Sequence, residues 1–150
     1  MKRTITALAF TTLVAAPFAA QAQFAKVEDA IEYRRAALLV MGQHFGRIGA
    51  VVKGEKPYDK ATVEADAVIV ETLAKLPWHG FVADSETGRT KAKPEIWKEQ
   101  DKFKAGADKM QTEVAKLTAA SKTGDLAMIK TAFGGVGQSC KACHDNYRAK

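Results

Sequence analysis

Residues 125–148 read DLAMIKTAFGGVGQSCKACHDNYR. Leu126, Phe133, Cys140 and Tyr147 recur every seven residues, and Ile129, Val136 and Cys143 recur at the same interval. Two interleaved rows of that period form one inward-facing stripe along a helix. Asp125 is a suitable N-cap, because its carboxylate can accept the free amide protons of the first turn. Gly134, Gly135 and Gly137 each lower helix propensity by up to ~1 kcal/mol relative to Ala. They either admit the close approach of another helix or a bulky ligand, or mark a weak or kinked stretch. A striped helix must bury its stripe against something, so the next question is what the rest of the chain offers.

It offers three more helical patterns, separated by Lys53–Pro57, the Gly- and Asp-containing stretch 77–93, and Ser121–Asp125. The first pattern runs from about Val27 to Val52. Ile31, Leu38, Phe45 and Val52 form one row and Arg34, Met41 and Ile48 the other. Arg34 is the only charge in that stripe. The second spans Asp59 to Leu76, with Asp59 as N-cap and Pro77 as the stop. Ala61, Ala65, Val68 and Thr72 share one face, widened by Val63, Ile69, Val70, Leu73 and Leu76. The third opens with Pro94 and runs to about Ala120, carrying Ile96, Phe103, Met110 and Leu117 in one row. No segment has strand periodicity. The expected fold is all-α, an antiparallel up-down-up-down four-helix bundle.

The chain has 150 residues, 47% of them apolar and 27% charged, with a net charge of +6. This suits one globular domain and argues against disorder. Residues 1–22 carry a basic start, an uncharged stretch from Ile5 to Ala20 and the small-x-small pattern Ala20-Gln21-Ala22. These are the marks of a cleaved secretory signal peptide, which leaves residues 23–150 as the domain. The uncharged stretch is too short, and too interrupted by Thr6, Thr11, Thr12 and Pro17, for a membrane anchor. Lys2 and Arg3 leave with the signal and no acid does, so +6 falls to +4. The remaining lysines are interspersed with acids, so the chain has no basic block for nucleic acid. No later run is apolar enough to span a bilayer.

Only two cysteines occur, in Cys140-Lys141-Ala142-Cys143-His144. C-x-x-C-H is the pattern of haem c attachment. Two thiols one helical turn apart can add to the two vinyl groups of a haem, and the adjacent His144 can reach the iron from the same side. A thioredoxin-like pair would need a βαβ setting and a helix N-terminus. A disulfide here would close a trivial loop. A zinc site would need a fourth ligand, which His44 or His79 would have to supply with no second cysteine pair in support.

Together with Tyr33-Arg34, Leu38, Met41, His44-Phe45-Gly46-Arg47, Leu76-Pro77-Trp78 and the C-terminal position of the motif, the chain resembles cytochrome c′, the high-spin class II cytochromes c. The resemblance covers essentially all of residues 23–150. It implies one covalent haem c held by Cys140 and Cys143, with His144 as the axial ligand. It places Leu38 over the distal face, Met41 in the pocket wall, Arg34 at a haem propionate and Arg148 on the proximal side. Arg34 could instead sit at the bundle end and reach water. Met41 lies one turn beyond Leu38, and a thioether ligand there would give a low-spin electron carrier instead. Arg35 departs from the glutamine of close relatives.

Leucine has no lone pair, so a leucine cap implies five-coordinate iron that excludes water and anions but admits small neutral gases. The resulting expectation is a non-enzymatic periplasmic haem protein. It binds nitric oxide and carbon monoxide, protects against nitric oxide and exchanges single electrons with a redox partner protein, and the resemblance implies a homodimer built through its first two helices.

Overall fold

The computed structural model describes residues 23–150. The signal-peptide reading falls on residues 1–22 and so lies outside the described residues. Four long helices form the bundle: α1 (Val27–Val52), α2 (Lys60–Leu73), α4 (Gln100–Thr123) and α5 (Leu126–Tyr147). A single turn, α3 (Glu95–Lys98), precedes α4, and a 3₁₀ turn, Pro77–Gly80, follows α2. None of the described helices is long and apolar enough to cross a membrane.

The heptad rows become the core. Ile31, Met41 and Ile48 from α1 are buried, as are Met110, Val114 and Leu117 from α4 and Ile129 and Val136 from α5. Burying each such side chain contributes about 1.5–3 kcal/mol against leaving it in water. Helix ends follow local chemistry. The Asp59 carboxylate accepts the Thr62 amide at 2.8 Å, and that of Asp125 accepts the amides of Ala127 and Met128 at 2.7 and 3.2 Å. Gly124 ends α4 at φ 78°, a left-handed turn that glycine makes at little steric cost. The three glycines of α5 leave the helix continuous.

Two expectations need correction. The inward face of α2 is Val63, Asp66, Ala67 and Val70, whereas Ala61, Ala65, Val68 and Thr72 are exposed. The apolar residues Val63, Ala65, Ala67, Val68, Ile69, Val70 and Leu73 follow one another too closely to define one face. The third helix is also not continuous. Glu99, at φ −122° and ψ 43°, breaks it. The Trp97 indole N–H, bonded to the Val82 carbonyl at 2.8 Å, ties the first turn to the preceding loop. The seven-residue register survives the break, since both Ile96 and Phe103 are buried.

The start of α1, the end of α2, the start of α4 and the end of α5 share one end of the bundle. The 3₁₀ turn packs closely on α1 there. A Cβ at Gly80 would stand 2.6 Å from the Ala30 carbonyl oxygen and 2.8 Å from the Arg34 Cβ, so only glycine permits this approach.

Candidate functional site

Cys140 and Cys143 are both half-buried, free thiols, one turn apart on α5. They address different parts of the interior. Cys140 packs against the main core, as Leu38, Phe45 and Trp78 do. Cys143 packs against a second cluster of Ile96, Phe103 and Tyr147, joined by Phe81 and Trp97. Trp78 touches both clusters, and its ring lies 5.7 Å from that of Phe103, which lies 5.3 Å from that of Tyr147. Burial pushes both thiols above their ordinary pKa, so at neutral pH they are protonated.

His144 sits on the outer flank of α5. Partial desolvation, and then the nearby Arg148 charge, push its pKa below the usual imidazole value. Its neutral form, the one that can donate a lone pair to a metal, is therefore favoured.

The placement of α1 against α5 bears directly on what these groups could hold. These two helices approach each other less than any other neighbouring pair of long helices. They meet at Gly49, whose missing side chain admits the Phe133 ring to 3.0 Å from the Cβ position. Phe45 stacks on that same ring at 4.2 Å. Eleven residues back along α1 from Gly49 lies Leu38, and eleven residues on from Phe133 lies His144. At 1.5 Å per residue in antiparallel helices, Leu38 and His144 fall at the same level, roughly 16 Å from the aromatic contact. Along α5 between Phe133 and His144, a Cβ built on Gly137 would meet nothing within 4 Å. Two free thiols one turn apart, a neutral imidazole, an apolar residue level with it and a loosely closed helix pair fit a flat, doubly tethered iron porphyrin.

Met41 is 8% exposed and lies within the main core. Arg34 is 1% exposed, and the loop after the 3₁₀ turn surrounds it. Its guanidinium donates to the Gly80 carbonyl at 2.7 Å and the Ser85 hydroxyl at 2.6 Å. It also donates to the Ser85 carbonyl at 2.6 Å and the Thr90 hydroxyl at 3.0 Å. Phe81 and Trp97 rings face it at 4.6 and 5.5 Å. Burial lowers its pKa to about 10, which leaves it charged at neutral pH. A guanidinium has five N–H donors, and these bonds occupy those of both terminal nitrogens. The Nε–H is the donor left for a further acceptor such as a propionate.

Arg148 does not continue the helical face of His144. It lies one residue past α5 in extended conformation and forms an antiparallel bridge with Ala92. Ser85 and Thr90, which hold Arg34, and Lys93, which bonds the carbonyls of Asp145, Asn146 and Tyr147 just before Arg148, were not singled out from sequence. Loop hydroxyls and a loop lysine leave no periodic signal.

The cytochrome c′ family model matches residues 29–148. Cytochrome c′ of Alcaligenes xylosoxydans is 49% identical over 128 residues, covering 85% of this chain and 99% of that protein. The solved cytochrome c prime of Shewanella frigidimarina superposes with a TM-score of 0.84 at 41% identity, over 85% of this chain and 100% of that one. A nitric oxide complex of a leucine-to-alanine mutant of cytochrome c prime from Alcaligenes xylosoxidans superposes with a TM-score of 0.80 at 48% identity. It covers 85% of this chain and 99% of its own.

Proposed function

The chain belongs to the cytochrome c′ family, whose four-helix bundle carries a single covalently attached haem c, and on that premise we propose a specific role for each site residue. Cys140 and Cys143 form the thioethers, His144 is the axial ligand and Leu38 covers the opposite face. Haem iron supplies reversible binding of diatomic gases and one-electron redox chemistry. The protein then decides what reaches it. An apolar side chain level with His144 offers no ligand atom and no hydrogen bond to stabilise water or an anion, so the sixth position favours neutral nitric oxide and carbon monoxide. The single observation carrying this reading is that Leu38 and His144 fall at one level across the loosely closed α1–α5 pair. The nitric oxide complex of the Alcaligenes relative supports it.

On this reading the protein is exported to the periplasm after removal of residues 1–22. There it binds nitric oxide protectively, without enzymatic turnover, and exchanges single electrons with a partner protein. Exposed Leu39 and Val40 on α1, with Val68 and Ile69 on α2, supply an apolar surface for a homodimer. Arg34 directs its Nε–H to a propionate, Met41 packs in the wall and Arg148 lies on the proximal side. The alternative is a low-spin carrier with Met41 ligated. Absorption spectra of the oxidised and reduced protein, with and without nitric oxide, test the assignment. High-spin bands that shift on nitric oxide binding are expected; six-coordinate low-spin ferrous bands would refute it.

A further inference from the structure

An α-helix leaves its last four carbonyls without intrahelical donors. In α5 these belong to His144, Asp145, Asn146 and Tyr147, the turn that begins at the axial ligand. The His144 carbonyl accepts the Arg148 amide at 3.1 Å. Lys93 satisfies all three of the others. Its ammonium donates to the carbonyls of Asp145 and Asn146, each at 3.2 Å, and its backbone amide donates to Tyr147 at 3.0 Å. On either side, Ala92 bridges Arg148, and the Ala149 amide donates to the Lys91 carbonyl at 2.8 Å. The segment 91–93 thus runs as a strap across the end of α5, and the strap sets the backbone direction of Arg148.

We propose that Lys93 is a positioning residue for the proximal side of the haem. Without the two ammonium bonds, the part of this cap that the side chain supplies, the last turn of α5 is free to fray. His144 opens that turn and Arg148 follows it, so loosening the turn changes how the imidazole is aimed and where the Arg148 guanidinium stands. Lys93 also brings a positive charge to a helix C-terminus, where the peptide dipoles favour it. The inference rests on the haem c reading of Cys140, Cys143 and His144. It concerns a residue that touches neither the thiols nor the iron ligand.

The test uses the holoprotein with Lys93→Ala and Lys93→Arg, first checked for covalent haem by staining after denaturation. The ferrous iron–histidine stretching band is read by resonance Raman, the reduction potential by titration, and protection of the 146–149 amides by hydrogen exchange. Lys93→Ala should speed exchange of those amides by about tenfold or more, an opening made easier by at least one factor of ten in its equilibrium. It should also shift or broaden the iron–histidine band and move the potential. Lys93→Arg, which keeps charge and donors, should restore all three. Faster exchange with an unchanged band and potential would reduce Lys93 to a structural cap and overturn the proposal, as would unchanged exchange. Wild-type protein without covalent haem would overturn the underlying haem reading itself.

Discussion

Replacing Arg34 with alanine tests whether the one charge in the α1 stripe serves as a clamp. The substitution leaves the carbonyls of Gly80 and Ser85 without their donor, and both residues are buried, Ser85 completely. Each orphaned buried acceptor costs about 1–3 kcal/mol, which gives roughly 2–6 kcal/mol for the pair. The Thr90 hydroxyl loses its donor too, but it still accepts the Ala92 amide at 3.1 Å. The Ser85 hydroxyl already donates to Val82 at 2.7 Å, so the two hydroxyls add little. Loss of the Phe81 and Trp97 cation–π contacts adds about 1 kcal/mol. We expect a net loss near 4 kcal/mol, because interactions sharing one guanidinium do not add fully. A lysine at this position keeps the charge but lacks the planar fork, so Arg34→Lys should recover less than half. Urea denaturation of the holoprotein measures the loss, and hydrogen exchange of residues 80–90 locates it. A loss under about 1 kcal/mol with unchanged protection of the loop would refute the clamp, since even one orphaned carbonyl should exceed that. A shifted potential with an intact loop would leave Arg34 serving a propionate alone.

Three further outcomes follow from the geometry. If Leu38 covers the face opposite His144 as proposed, Leu38→Ala should speed carbon monoxide association by about tenfold or more, a barrier change of roughly 1.4 kcal/mol; an unchanged stopped-flow rate would place Leu38 elsewhere. Leu39→Glu with Val68→Glu puts charge on exposed apolar surface and should weaken self-association about a hundredfold, roughly 3 kcal/mol, and an unaltered sedimentation profile would clear this face of any role. The Lys102 ammonium and the Tyr147 hydroxyl hold the Glu99 carboxyl below its usual 4.5. Its ionised form therefore stabilises the fold above that pH, and the contribution is lost as pH falls through the lowered value. Glu99→Gln should flatten the acid limb of a melting-temperature profile, and an unchanged limb would count against the bond.

The helices were legible in the sequence where one face was unambiguously apolar. The rows of α1 gave its bounds, and those of α5 gave the inward turn of Cys140 and Cys143, but not its end, since Arg148 lies past the helix in extended conformation. The row Ile96, Phe103, Met110 and Leu117 gave burial correctly but hid the break at Glu99, because the helix resumes in register. Helix α2 was misread because an apolar residue there can face either the core or a partner, and periodicity does not distinguish the two. The C-x-x-C-H motif named the chemistry because thiol spacing is a local property. Arg34 stood out as an anomaly, but its acceptors lie 46 to 56 residues away and include backbone carbonyls. No residue-type pattern announces a carbonyl, and the same is true of the three that Lys93 holds.

These two loop attachments bear on one physical problem. On the proposed reading, a flat group held between α1 and α5 would prevent those helices from setting their spacing by direct packing, which is how the other pairs in the bundle set theirs. At one end the helices do touch, through Gly49, Phe45 and Phe133. Toward the other end they need a tie that goes around the site. Arg34 fixes α1 to Gly80, Ser85 and Thr90, and the same connection continues to Lys93 and Ala92, which fix it to α5. The connection from Gly80 to Lys93 has almost no regular structure, yet it is bonded at both ends to the helices that flank Leu38 and His144. Cutting either attachment should therefore loosen the same gap, so the effects of Arg34→Ala and Lys93→Ala on the iron–histidine band should be less than additive in the double variant. Full additivity would mean that the two attachments act on separate structures, and the strap would then not be a single tie.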